Sequence, residues 1–135
     1  MKRHLTALTS VLCLASTAVF AAEELECQEP APVFAEADAS TFDLPQLAQT
    51  VGTAELDGSS LYQVAEQIRS DFPDATDADV ADIMITAFCT YLNDDAPADH
   101  RTQANITAFE SETYNAVYEG TPPEDYKRHG WLYND

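Results

Sequence analysis

Three cysteines, three histidines and 24 acidic side chains are the groups in this 135-residue chain with chemistry to offer, and their spacing decides what they can do. Cys13 sits in an apolar leader. Cys27 and Cys89 stand far apart with no CxxC, so once the leader is removed they form an even pair, which in an oxidising compartment predicts a structural disulfide. Closing so long a loop disfavours the unfolded chain by about 4 kcal/mol in the entropic account. His100 and His129 lie in polar surroundings, and neither accompanies a nucleophile in a Ser-His-acid or Cys-His arrangement. Asp74, Asp77, Asp79 and Asp82 invite a calcium reading that fails on inspection. Counted from Asp77, the place for an oxygen ligand holds Ala81, the glycine place holds Asp82, and the closing glutamate place holds Phe88. Helix capping is the expected role of these aspartates. The chain carries no zinc spacing, no glycine-rich phosphate loop and no haem-attachment motif. Asn105-Ile106-Thr107 spells a glycosylation sequon but falls inside a helical pattern. These residues predict no catalytic set, no metal and no cofactor.

The leader itself is the plainest motif. Met1, Lys2, Arg3 and His4 form a basic start, and Leu5 to Phe20 carry no charge. That run of about 16 residues is shorter than the roughly 20 a spanning helix needs. Val19-Phe20-Ala21 then presents the small-residue exit of a signal peptide, with acidic Glu23 and Glu24 close behind. The expectation is residues 1–21 as a cleaved signal peptide, a bacterial periplasmic home, and no membrane segment afterwards. Bulky Leu12 before Cys13 argues against lipidation.

Cleavage also takes Lys2 and Arg3 from a chain whose formal charge is −18, leaving −20 on a domain of four basic residues, Arg69, Arg101, Lys127 and Arg128. Such a surface repels nucleic acid and anionic lipid and attracts cationic proteins. Acidity spread evenly along a lysine-poor chain also suits an exported protein bathed in salt, which screens self-repulsion over roughly 10 Å or less.

The elements that would hold these groups are helical throughout. Residues 22–43, with Pro30 and Pro32 and no sustained periodicity, read as an arm tied down at Cys27. A helical domain follows over 44–120. Asp43 caps a short first helix with Pro45 in its first turn and Leu44, Leu47, Ala48 and Val51 on one face, ending at Gly52. Ser60 and Gln63 spell a capping box for a second helix, whose apolar face is Leu61, Val64, Ala65, Ile68 and Phe72 and whose stop is Pro73. Thr76 caps a third, from Val80 to Leu92, apolar around most of its circumference with only Asp82, Thr86, Thr90 and Asn93 as a polar stripe. That helix should be the centre of the fold. Pro97 opens a long last helix to about Glu119, with Ile106, Phe109, Thr113, Ala116 and Val117 buried and Tyr114 and Tyr118 beside them. The expected fold is all-α, a small bundle of about four helices, with one disulfide tying the N-terminal arm to the central helix. Residues 121–135 form a tail in which Lys127, Arg128, Trp131 and Tyr133 are the candidate partner-contact residues.

The block Ala87-Phe88-Cys89 closing an apolar helix, then a polar turn and a helix bearing Phe109 and Tyr118, resembles uncharacterised small exported proteins of Gram-negative bacteria. That resemblance spans about residues 60 to 120 and implies a periplasmic location. A shape-level likeness to HdeA-type acid-stress chaperones rests on Cys27 and Cys89, which fill the places of that family's N-terminal and late-helix cysteines. Leu25-Glu26 depart from the aromatic residue favoured there, and few basic groups are present. The leading expectation is a non-enzymatic exported protein acting by protein–protein binding, with a cationic protein as partner. The alternatives are an acid-stress chaperone and a small cation-binding protein.

Overall fold

The computed structural model describes residues 23–57 and 60–119, and every regular element among them is helical. In chain order these are α1 (Pro32–Ala35), α2 (Leu44–Asp57), α3 (Leu61–Asp71), α4 (Asp77–Asp94), a 3₁₀ turn (Ala98–His100) and α5 (Gln103–Tyr118). The all-α bundle with an arm-to-centre disulfide is the architecture observed: Cys27 and Cys89 are bonded, with Cα atoms 5.6 Å apart across a separation of 62 residues.

The apolar circumference of α4 explains the layout. Val80, Ala81, Ile83, Met84, Ile85, Ala87, Phe88, Cys89 and Leu92 are all buried, so the helix needs cover on nearly every side. α2 supplies the most extensive packing, α5 the next, and α3 bridges α2, α4 and α5. Against α5 the contact is aromatic, with Phe88 stacked on Phe109 at a centroid distance of 4.0 Å. Thr86, expected on a polar stripe, is buried too; its carbonyl accepts from the Thr90 hydroxyl at 3.0 Å.

Three boundaries differ from expectation, each for a tertiary reason. α2 does not end at Gly52 but continues to Asp57. The glycine is where Tyr91 of α4 lies against the α2 backbone, so near that a Cβ would stand 2.3 Å from Tyr91 Cδ2. Missing side-chain volume, and not a helix stop, is what the position requires. Ser60 is the N-cap of α3, yet its side chain makes no capping bond and the expected Ser60–Gln63 box does not form; Gln63 N–H donates to the Ser60 carbonyl. The capping box appears one helix later, where Thr76 Oγ1 accepts from Asp79 N–H and the Asp79 carboxylate accepts from Thr76 N–H at 2.8 Å. The long helix from Pro97 is interrupted. A 3₁₀ turn ends at His100, Thr102 starts afresh as N-cap by accepting from Asn105 N–H, and α5 follows.

The arm is built into the core. Its one helical turn, with Pro32 at the start, buries Phe34 against Phe42 and Phe72, the three rings meeting at centroid distances of 5.0 to 5.8 Å. Edge-to-face packing of this kind adds about 0.5–1.5 kcal/mol per pair beyond the area buried.

Candidate functional site

The disulfide is reinforced by an amide clamp that the sequence did not announce. Asn93, in the last turn of α4, accepts from Leu25 N–H through Oδ1 and donates to the Leu25 carbonyl through Nδ2, both at 2.9 Å. Its Nδ2 also approaches Cys27 Sγ at 3.4 Å. One side chain thus satisfies both backbone groups of an arm residue, as a neighbouring strand would, and holds Cys27 over Cys89. The bridge so fixed is a staple in the fold.

Charge is distributed with equal economy. Arg101 donates from Nε to the Leu92 carbonyl at 3.2 Å and from Nη2 to the Asn93 carbonyl at 2.7 Å, covering the open C-terminal end of α4. Arg69 does the same for α5, its Nη2 donating to the Val117 carbonyl at 2.8 Å. That guanidinium also meets Asp77 at the start of α4 at 2.8 Å and Glu66 one turn back in α3. The hydrogen bond it donates to Asp77 is the main reason its pKa stands above the ordinary arginine value. Both arginines of the described residues therefore point at helix termini, while Asp38, Asp43, Asp71, Asp74, Asp82, Asp94, Asp95 and Asp99 stay exposed. One acid is the opposite case: Glu55, in the last turns of α2, is fully buried.

Beside the Arg69 hub, α5 exposes two aromatic rings one turn apart. Tyr114 is 44% and Tyr118 53% exposed, with ring centroids 5.9 Å apart. Desolvation by its surroundings pushes the Tyr114 phenol up, and the charges of Asp82 on α4 and Glu110 on α5 add to it. Tyrosines rimmed by carboxylates offer ring faces and negative potential to a lysine or arginine. Thr113, adjacent in sequence, faces the core, with its hydroxyl buried and without a hydrogen-bond partner.

A second surface feature lies between α2 and α3. The surface there forms an open groove of about 490 Å³ that shares Thr50, Val64 and Gln67 with a second depression of about 270 Å³. Gln46 and Gln49 from α2 and Gln63 and Gln67 from α3 line it.

The other groups singled out in the sequence are dispersed. His100 closes the 3₁₀ turn, half-buried, and its backbone carbonyl accepts from Asn105 Nδ2 at 2.7 Å. The sequon asparagine is thus engaged internally. Asp77 and Asp79 act in the Arg69 pair and the capping box, and no group of three or more His, Cys, Asp or Glu suited to a metal ion occurs among the described residues. Lys127, Arg128, Trp131 and Tyr133, like His129 and the leader of residues 1–21, lie outside the described residues. Among the described residues no helix is long and apolar enough to cross a membrane. These features define a disulfide-stapled α-bundle with an anionic, tyrosine-bearing face. Compared with protein-family models, curated proteins and solved structures, the chain finds no match.

Proposed function

We propose that this chain is an exported, non-enzymatic binding protein of the periplasm whose partner is a cationic protein. The observation that carries the reading is the fate of the arginines. Arg69 covers the end of α5 and pairs with Asp77 and Glu66, and Arg101 covers the end of α4; exposed carboxylates far outnumber these two cations among the described residues, which favours attraction of positive charge from outside the fold. Export is supported by the basic-then-apolar leader and by a disulfide that persists in oxidising compartments. Tyr114 and Tyr118, with Asp82 and Glu110 beside them, are the contact face best suited to such a partner; Lys127, Arg128, Trp131 and Tyr133 of the tail are further contact candidates.

Affinity capture from periplasmic extract with the oxidised protein tests this. The expected result is a basic protein retained at low ionic strength, released by salt, and held at least about tenfold less by a Tyr114→Ser/Tyr118→Ser column. Recovery of no basic protein overturns the reading.

The acid-stress chaperone alternative draws support from the same arm-to-helix disulfide, while a pI near 4.1, at which charge and solubility fall away, counts against it. It expects unfolding or dimer dissociation at about pH 2–3 with suppression of client aggregation; an inert, folded protein there removes it.

A further inference from the structure

We infer that the groove between α2 and α3 is a peptide-binding site, taking an extended segment of a partner protein with one lysine or arginine at the Asp43–Asp71 end. The inference rests on the cationic-partner reading above and adds a site to it.

The groove differs from the rest of this anionic surface. The chain has six glutamines, and four of them, Gln46, Gln49, Gln63 and Gln67, converge here from two helices. Among the described residues, the wider part is lined by amide, hydroxyl and apolar side chains. Gln46, Gln49 and Gln63 each carry two side-chain N–H donors and a carbonyl acceptor, and Gln67, whose Nε2 is engaged by Asp71, adds its carbonyl; together they complement a peptide main chain, whose N–H and C=O alternate along an extended segment. Walls of carboxylate accept only, and would leave the carbonyls of such a segment unpaired.

Among the described residues, carboxylates border the groove at the end formed by Asp43 and Asp71. Asp43, which caps α2 by accepting from Gln46 N–H at 3.1 Å, and Asp71, at the end of α3, border the narrower part. Asp71 accepts from Gln67 Nε2 at 3.0 Å on both oxygens, which keeps it in place with lone pairs to spare for a cation. A peptide with a single basic side chain would therefore be read for position and direction. A neutral oligosaccharide suits the groove less, because Phe42 and Phe72 at that end are packed edge-to-face on each other and against Phe34 instead of lying side by side as a flat platform.

The test is nuclear magnetic resonance on the ¹⁵N-labelled, oxidised full chain. The probes are a capped Ala/Ser/Gly peptide with one central lysine, the same peptide with glutamate, and a neutral cello-oligosaccharide. The lysine peptide is expected to shift the side-chain amide signals of the four glutamines, the glutamate peptide not. Asp71→Asn should weaken binding about two- to fivefold, as for an exposed ion pair, and Gln63→Lys, on an exposed helix position, about tenfold. Shifts spread over the carboxylates with the glutamine amides unmoved overturn the groove and leave the cationic-partner reading standing. An oligosaccharide response in place of the peptide one overturns it as well. Failure of every peptide while affinity capture still retrieves a basic protein removes the groove alone; failure of both removes both.

Discussion

Substituting alanine for Gly52 tests the helix crossing on which the bundle is built. A Cβ there would stand 2.3 Å from Tyr91 Cδ2 and 2.5 Å from Cε2 and Cγ, far inside van der Waals contact. The ring has little room to retreat, being buried and stacked against Phe88 at 6.2 Å. Two effects oppose each other. Alanine in a helix interior is favoured over glycine by about 1 kcal/mol. Overpacking a tight contact costs about 1–3 kcal/mol, and a clash with three ring atoms belongs at the upper end. The balance is a net loss of about 1–2 kcal/mol. Urea unfolding followed by far-UV circular dichroism measures it, in a cycle with Tyr91→Ala. With the ring gone only propensity remains, so Gly52→Ala in that background should stabilise by about 1 kcal/mol. A reversal of sign is the signature. If Gly52→Ala stabilises the protein with Tyr91 present, the close approach of α2 and α4 is wrong.

Three further outcomes follow from single groups. Asn93→Ala removes both bonds to Leu25, so amide protons of residues 23–31 should exchange faster, with a stability loss of about 1–3 kcal/mol; unchanged exchange there contradicts the clamp. Thr113→Val replaces a buried hydroxyl lacking a partner with an isosteric methyl and should raise stability by about 1 kcal/mol; a loss would mean the hydroxyl is bonded. Hydrogen bonds from Thr76 hold the Asp79 carboxyl below its ordinary 3.8, so its contribution is present above the unfolded value and fades as pH falls through the lower folded one. The stability gap between the native protein and Thr76→Ala should accordingly narrow below about pH 3.8; a gap that widens there refutes the capping box as the cause.

The parts of the fold legible in the sequence were those governed by neighbours in the chain. α4 announced itself because apolar residues cover most of its circumference, and Asp43 and Thr76 because a cap and its target lie three residues apart. The pairing of Cys27 with Cys89 followed from counting. What escaped depends on residues distant in sequence. Gly52 has the same local signature whether it ends a helix or admits a ring, and only Tyr91, 39 residues on, distinguishes them. Arg101 looks like part of a helix until the carbonyls of Leu92 and Asn93 are found in its reach. Asn93 belongs to the polar stripe of α4, and nothing local marks an amide that grips Leu25. The candidate surface was half legible. Tyr114 and Tyr118 were noticed beside the buried stripe, but their exposure was not. Gln46, Gln49, Gln63 and Gln67 sit at helical spacing on polar faces that usually meet only water, and the packing of α2 beside α3 that brings those faces to one groove has no sequence signal.

The proposal that exposed carboxylates, far more numerous than the arginines among the described residues, recruit a cationic protein is tested most directly by calorimetry. The captured partner would be titrated into the oxidised chain and into Tyr114→Ser/Tyr118→Ser while ionic strength rises from about 0.05 M to about 0.5 M. The account predicts affinity that falls steadily with salt for the native chain, and a loss of about tenfold or more in the variant at the lowest salt. Binding that ignores both salt and the tyrosines would contradict it.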